Sequence, residues 1–251
     1  GNRVAPHQHI EQSFQMKNLL NHPLSTALQA MMALALVLTS LSVDARPKVE
    51  KKLKVACVGN SITYGTGIND RETDAYPSQL QRMLGDAYEV GNFGRPSATL
   101  LAHGHMPYFK QAEWNAAKAF AADIAVVHLG INDTDPRNWP NYRDEFVTDY
   151  LHLIDTLRQV NPQVRILIAR LTPIRHDHHR FTSGTKRWHD EIQEAIETVA
   201  RVAGVELIDF HAPLYHHPDY SVEGIHPNPA GARLLALTAY SGITGNYGGL
   251  R

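Results

Sequence analysis

The chain has 251 residues, of which 43% are hydrophobic and 20% are charged, a composition typical of folded globular proteins. Its 24 basic and 25 acidic residues give a formal net charge of −1, which argues against a broad basic surface for nucleic acid. Because Cys57 is the single cysteine, a disulfide framework and multi-cysteine metal sites are excluded. The 15 histidines keep imidazole catalysis and metal binding open.

The first 45 residues are expected to lie outside the folded domain. Residues 1–15 show no hydrophobic period and end before Met16, so we interpret them as a tag or a misplaced start. The basic Lys17, the apolar run Ala30–Leu38 and the small-x-small end Val43–Ala45 have the layout of a secretory signal peptide over residues 16–45. The apolar run is shorter than the roughly 20 residues that span a bilayer. We therefore predict a secreted or periplasmic protein, without stable membrane insertion, whose single domain covers residues 46–251.

Strand and helix patterns alternate in the rest of the chain. Apolar runs predict strands at Lys54–Val58, Tyr88–Phe93, Ile124–Leu129, Arg165–Leu171 and Val205–Phe210. Amphipathic patterns predict helices over Tyr76–Leu84, Asp144–Val160, Thr185–Ala203 and from Pro229 to about Tyr240. Runs without polar alternation suit strands that are covered on both faces. The pattern predicts an α/β fold with a parallel sheet of about five strands and helices on both faces.

The candidate chemistry follows the predicted strands. Ser61 comes after the first strand, Gly94 after the second and Asn132 after the third, while His226 precedes the last helix with Glu223 three residues before it. In open parallel sheets, ligands bind at the carboxyl ends of the strands. A serine nucleophile needs a base, the base needs a group that fixes its tautomer, and the developing oxyanion needs donors. The combination therefore predicts acyl transfer.

These segments resemble the SGNH hydrolase family, also called the GDSL esterases and lipases. The resemblance rests on ACVGNSITYGTGI, YPSQLQRMLG, NFGRPSATLL, LGINDTDP and GIHPNPAGA. It implies a flavodoxin-like three-layer α/β/α sandwich, and the motifs are similar to those of secreted bacterial sialate O-acetylesterases and acetylesterases. It also implies Ser61 as the nucleophile, His226 as the base, and an oxyanion hole formed by the N–H groups of Ser61 and Gly94 and by the Asn132 side chain. It implies no metal or organic cofactor.

Two residues depart from the family pattern. Asn60 stands where the family has aspartate, and local hydrogen bonds of asparagine are expected to hold the turn. Glu223 also stands in place of an aspartate, so its longer side chain has to fold back toward His226. Three alternatives stay open: Glu223 orients His226, another acid such as Asp219 does so, or the enzyme works largely as a dyad. We favour Glu223.

Several other polar and aromatic residues are weaker candidates. Arg175, in the segment after the fourth strand, and the rings of Tyr64, Trp139 and Tyr142 are candidate substrate contacts, with core or rim packing as the alternative for the rings. Asp133 is expected to brace the loop that carries Asn132, and Cys57 is expected to be a core residue. Without an accompanying His-Glu-x-x-His helix, loop histidines in solvent are favoured over metal ligands; they are His103, His105, His176, His178, His179, His216 and His217.

The sequence thus predicts a secreted serine esterase that removes O-acetyl groups from carbohydrate, either sialic acid or polysaccharide, through an acetyl-serine intermediate. The expected partner is the acetylated carbohydrate, with no nucleic acid, and the oligomeric state stays open. One alternative is a lipase or lysophospholipase-type esterase. Others are a non-catalytic glycan-binding protein on the same scaffold and a metal-dependent hydrolase that uses the histidine clusters.

Overall fold

The computed structural model describes residues 50–248 together with Thr26 and Met31. The chain divides into two units, residues 1–49 and residues 50–251. In the first unit, Thr26 and Met31 are helical. The signal peptide predicted over residues 16–45 and the interpretation of residues 1–15 otherwise lie outside the described residues. Among the described residues, no helix is long and apolar enough to cross a membrane.

The second unit is built on a parallel sheet of five strands in the order β2-β1-β3-β4-β5. The strands are β1 Leu53–Gly59, β2 Tyr88–Gly94, β3 Ile124–His128, β4 Arg165–Arg170 and β5 Glu206–Asp209. Every residue of β3 is buried, because helices cover both faces of the sheet. The predicted α/β/α fold is therefore confirmed.

Within residues 50–248, five helices have nine or more residues: α1 Tyr76–Leu84, α2 Ala112–Phe120, α3 Phe146–Val160, α4 Lys186–Ala203 and α5 Pro229–Thr244. One-turn α-helices cover Ser61–Tyr64, Arg71–Asp74, Trp139–Tyr142 and Ala212–Tyr215. Single 3₁₀ turns cover Tyr108–Lys110, Ile131–Thr134, Arg143–Glu145 and Pro218–Tyr220, and a π-turn covers Phe181–Thr185. The sequence did not predict α2. Among its nine residues only Trp114 and Ala117 are buried, and such a short apolar stripe gives little periodic signal.

The register of the sheet brings the ends of three strands level. Gly59 at the end of β1 pairs with Gly94 of β2 on one side and with His128 of β3 on the other. The chain segments that leave these strands therefore emerge side by side at one edge of the sheet. Beneath that edge, α1 packs against α5, and Cys57 of β1 is wholly buried, as predicted. Burial raises the pKa of the Cys57 thiol to about 12, so it stays protonated.

Candidate active site

Ser61 is the first residue of the one-turn helix that follows β1. The side-chain oxygen of Asn60 accepts a hydrogen bond from the N–H of Ile62 at 3.0 Å, which confirms the local hydrogen bond predicted for this asparagine. Gly59 permits the tight turn, because a Cβ there would collide with the Thr63 side chain and lie 2.9 Å from the His128 carbonyl oxygen. Ser61 is only 7% exposed, so most of the residue is shielded from solvent.

The Ser61 hydroxyl contacts an imidazole from the far end of the sequence. Its Oγ lies 2.9 Å from Nε2 of His226. Nδ1 of His226 is hydrogen-bonded to Oε1 of Glu223, and the backbone N–H of His226 donates to the same oxygen at 3.2 Å. The glutamate therefore folds back over its own turn, as its extra methylene requires. Asp219 lies in an exposed 3₁₀ turn, and no hydrogen bond joins it to His226 in the part of the chain that the structure describes.

His226 lies on a tight loop between β5 and α5. Within the loop, the N–H of Val222 donates to the carbonyl oxygen of His226 at 3.2 Å, and Gly224 adopts a left-handed conformation with φ +101°. From outside the loop, the N–H of Arg175 donates to the Gly224 carbonyl oxygen at 2.7 Å. The loop is thus closed on itself and attached to the segment that follows β4.

Asn132 lies in the 3₁₀ turn after β3. Its side-chain Nδ2 donates to the Ala98 carbonyl oxygen at 2.9 Å. The next residue, Asp133, accepts hydrogen bonds from the N–H groups of Leu100 and Leu101 at 3.0 and 2.8 Å. Asp133 thereby ties the turn of Asn132 to the segment after β2, which confirms the predicted bracing. Complete burial raises the pKa of Asp133 to about 6, although the two N–H donors oppose the shift.

Gly94 does not present a free donor, in contrast to the sequence expectation. Its N–H donates to the side-chain oxygen of Asn92 at 3.0 Å. The glycine serves close packing instead, because a Cβ at this position would collide with the backbone of Tyr64.

Ser97, three residues further along, is a donor that the sequence motifs do not reveal. Its φ is +65°, in the left-handed region, and in the described part of the chain its N–H, like that of Ser61, has no acceptor. The carbonyl oxygen of the next residue, Ala98, accepts the hydrogen bond from the Asn132 amide, so the Ser97 N–H lies close to that contact. The usual sequence signal for such a backbone, a glycine, is missing here because serine occupies the position.

Trp139 does not line the site, which corrects the expectation of a substrate contact there. It is 3% exposed, its indole N–H donates to Glu191 at 2.6 Å, and its ring packs edge-on against Phe146 at 5.5 Å. This tryptophan belongs to the core. Tyr142 is half-buried and packs against that core. Tyr64 is half-buried as well, and the guanidinium of Arg71 covers its ring at 4.0 Å, so the role of Tyr64 as a substrate contact stays a prediction.

Arg175 is paired with an acid rather than free, and its role as a substrate contact stays a prediction. Its Nε donates to Asp177 at 2.6 Å and its Nη1 to the Ser221 carbonyl oxygen at 3.3 Å. The pair with Asp177 is exposed to solvent, and the contact with Ser221 connects the Arg175 side chain to the His226 loop. Behind that loop lies a cavity of about 360 Å³ with a largely apolar lining that includes Ile174, Phe181, Tyr215, Tyr220 and Ile225.

Two buried histidines lie close to the candidate site. Nε2 of His128 accepts the Thr172 N–H at 3.2 Å, and Nε2 of His189 donates to the Thr172 carbonyl oxygen at 3.0 Å. Burial lowers the pKa of His128 to about 3 and that of His189 to about 4, so both are neutral near pH 7. Across the residues that the structure describes, no group of three or more His, Cys, Asp or Glu side chains is arranged to hold a metal ion.

Comparisons with known proteins agree with the fold. The sequence model of the GDSL-like lipase/acylhydrolase family matches residues 57–234. The chain belongs to this family. It is 38% identical over 205 residues to an acetylxylan esterase from Xylanibacter ruminicola; the match covers 74% of this chain and 42% of that protein. The chain thus spans about two fifths of the length of this relative.

Solved structures share the fold at low sequence identity. An acetyl xylan esterase (AlAXEase) is 20% identical with a TM-score of 0.59, and the match covers 76% of this chain and 100% of that one. A carbohydrate esterase of family 3 from Talaromyces cellulolyticus is 15% identical with a TM-score of 0.56, covering 77% and 97% of the two chains. The aryl esterase of M. smegmatis is 17% identical with a TM-score of 0.57, covering 77% and 99%. These likenesses establish the three-layer architecture.

Proposed function

We propose that this chain is a serine esterase that removes acetyl groups from carbohydrate through an acetyl-serine intermediate. The observation that carries the proposal is the 2.9 Å contact between Oγ of Ser61 and Nε2 of His226, with the Glu223 carboxylate at the other imidazole nitrogen. A hydroxyl, a base in contact with it and an acid that fixes the tautomer of that base are the parts of an activated serine nucleophile.

In the proposed reaction, Oγ of Ser61 attacks the acetyl carbonyl carbon while Nε2 of His226 takes the hydroxyl proton. Nδ1–H of His226 donates to Glu223, which stabilises the imidazolium that forms. The tetrahedral intermediate then collapses, and the sugar oxygen leaves with the proton from Nε2. A water molecule next repeats the attack on the acetyl-enzyme, gives its proton to Nε2, and releases acetate and free Ser61.

Three donors would hold the oxyanion in this scheme: the N–H groups of Ser61 and Ser97 and Nδ2 of Asn132. Ser97 replaces Gly94 of the sequence prediction, because the Gly94 N–H is already bonded to Asn92 whereas the Ser97 N–H is free among the described residues. Donors that are fixed before the reaction stabilise the developing charge without reorganising.

The proposed substrate is an O-acetylated polysaccharide of the xylan type. The support is the 38% identity to an acetylxylan esterase, although this chain spans 42% of that protein. The sequence resemblance also suggested esters of sialic acid, and the substrate screen described below includes one.

The activity is tested by hydrolysis of p-nitrophenyl acetate with the full chain and with Ser61→Ala. We expect wild-type hydrolysis that EDTA does not reduce and a loss of at least about 10⁴-fold in Ser61→Ala. Ser78→Ala is a matched control, because this serine donates to the Arg71 carbonyl oxygen away from His226. Equal activity in Ser61→Ala and wild type contradicts the serine mechanism. Absence of hydrolysis in the wild type favours a glycan-binding protein, and loss with EDTA favours a metal hydrolase.

The substrate class is tested by acetate release from acetylated xylan, acetylated pectin and O-acetylated sialic acid, alongside p-nitrophenyl esters of increasing chain length. We expect release from xylan and falling rates with longer acyl chains. Rates that rise with acyl chain length favour the lipase alternative. If acetate is released from O-acetylated sialic acid but not from acetylated xylan, the proposed substrate is wrong and sialic acid takes its place.

We also propose that the protein is exported, on the strength of the signal-peptide layout of residues 16–45. Expression from Met16 in a bacterial host tests this. The expected product lies outside the cytoplasm and begins at Arg46, whereas cytoplasmic protein that retains residues 16–45 contradicts the proposal.

A further inference from the structure

The guanidinium of Arg180 lies directly behind Asn132. Its Nη2 donates to Oδ1 of Asn132 at 3.3 Å, and its Nη1 donates to the Ile131 carbonyl oxygen at 2.9 Å and to Oγ1 of Thr134 at 3.3 Å. All three acceptors belong to the 3₁₀ turn that carries Asn132, so one side chain spans the whole turn. Arg180 itself lies in the segment between β4 and α4, which no sequence motif connects with Asn132.

The charge of Arg180 is placed differently from that of three other arginines in the unit. Arg137, Arg165 and Arg175 each donate to a carboxylate at 2.9 Å or less. Arg180 is half-buried, and among the described residues no carboxylate oxygen lies within 4.0 Å of its nitrogens. Burial lowers the pKa of Arg180, and the more distant Asp135 and Asp133 oppose the shift. A half-buried cation without a contacting anion interacts more favourably with its surroundings when a negative charge forms nearby.

The amide of Asn132 has two ends of nearly equal shape and opposite polarity. With Nδ2 toward the bound carbonyl it stabilises an oxyanion, and with Oδ1 there it repels one. Two contacts fix its orientation: Nδ2 donates to Ala98, and Oδ1 accepts from Arg180. The contact with Ala98 uses one of the two Nδ2 hydrogens, which leaves the other for a ligand.

We propose that Arg180 is a positioning residue for the oxyanion hole: it locks the Asn132 amide with Nδ2 available to the substrate, and its unpaired charge strengthens that donor as the oxyanion forms. The inference rests on the proposed esterase function. Because the effect is largest when the oxyanion carries its charge, Arg180 acts on kcat and hardly on KM.

The test is a double-mutant cycle on p-nitrophenyl acetate hydrolysis with Arg180→Met, Asn132→Ala and the double variant. We expect Arg180→Met to lower kcat by about 10-fold to 100-fold with KM changed by less than about threefold. In the Asn132→Ala background the same substitution is expected to change kcat by less than about threefold, because the residue through which it acts is gone. Arg180→Lys keeps the charge but not the planar fork, and we expect partial recovery.

Arg187→Met is the matched control, because Arg187 is an exposed arginine on α4 that pairs with Glu191 at 3.2 Å. We expect it to leave kcat unchanged. The inference is overturned if Arg180→Met retains the wild-type kcat or lowers it by the same factor in both backgrounds. Should Arg180→Met fail to fold, Arg180→Gln, which keeps an amide donor, takes its place in the cycle. Activity that survives Ser61→Ala refutes the esterase mechanism itself, so the two failures are distinguishable.

Discussion

The two halves of the candidate site are held in place by different kinds of contact. On the oxyanion side, Asn132 is 6% exposed and bonds to Ala98, 34 residues earlier in the chain. On the proton-transfer side, Glu223 and His226 are three residues apart, and their side chains are 45% and 23% exposed. Removing a buried partner leaves an unsatisfied polar group behind, whereas an exposed group is satisfied by water. Substitutions on the oxyanion side therefore cost stability as well as rate, and those on the His226 loop cost mainly rate.

The largest expected effect is on the exposed half. His226→Ala removes the base, and we expect kcat/KM for p-nitrophenyl acetate to fall by at least about 10⁴-fold. Thermal unfolding is expected to shift by less than about 3 °C, because the loop keeps its backbone bonds. If His226→Ala keeps most of the wild-type activity, His226 is not the base. A much lower melting temperature contradicts the contrast between the two halves.

On the buried half, Asn132→Ala is expected to lower kcat by about 10²-fold to 10³-fold, the usual effect of losing one oxyanion donor. It also leaves the Ala98 carbonyl oxygen without its side-chain donor, so the free energy of unfolding is expected to fall by about 1–3 kcal/mol. Steady-state kinetics and urea unfolding measure the two effects. If Asn132→Ala loses activity but unfolds at the wild-type urea concentration, the buried contacts of Asn132 do not stabilise this half of the site.

Substitutions of Glu223 sharpen the exposed side of the comparison. Glu223→Gln presents an amide to Nδ1 of His226 and favours the wrong tautomer, so we expect a loss of about 100-fold, whereas Glu223→Asp keeps the charge and stays within about tenfold of wild type. Asp219→Asn is the matched control, because it alters a neighbouring exposed acid that does not contact His226. Wild-type turnover in Glu223→Gln would show that Glu223 does not orient His226. A larger loss in Asp219→Asn than in Glu223→Gln would indicate that Asp219 orients it instead.

The smallest effect concerns stability in acid. His128 and His189 have folded-state pKa values of about 3 and about 4, below the ordinary 6.5, so below about pH 6.5 the unfolded chain takes up protons that the folded chain does not. Each histidine then lowers the free energy of unfolding by about 1.4 kcal/mol per pH unit until its folded pKa is reached. His128→Gln keeps an acceptor for Thr172 and is expected to reduce the pH slope between about pH 6 and 5 by that amount. An unchanged slope means that His128 is protonated in the folded protein.

The fold could be predicted because the sheet is buried on both faces. Short continuous apolar runs such as Ile124–His128 are typical of strands in that setting, and the observed strands lie within one residue or so of the predicted runs. Helix α5 was expected to end near Tyr240 but continues to Thr244, since small residues there pack against the sheet without a clear polar stripe. Ser61 and Asn132 were predicted as site residues from their positions after predicted strands, and His226 from its position before the last helix, which are topological signals.

The remaining parts of the site depend on information that the residue types do not carry. The direction of a backbone N–H favours Ser97 over Gly94 as the proposed oxyanion donor, and a left-handed serine leaves no sequence signature. Trp139 was misassigned because the sequence does not distinguish a tryptophan buried in the core from one that stacks on a sugar. Arg180 was missed because its partners lie 46 to 49 residues away across a different loop.

The segment after β4 bonds to both halves, through Arg175 to the His226 loop and through Arg180 to the Asn132 turn. An insertion or deletion in residues 175–180 would displace proton transfer and charge stabilisation together. Directed evolution of a new substrate preference has to hold the length of this stretch fixed and diversify elsewhere around the crevice. The same linkage predicts that a ligand bound to this stretch would change the proposed hydrolysis without contacting Ser61.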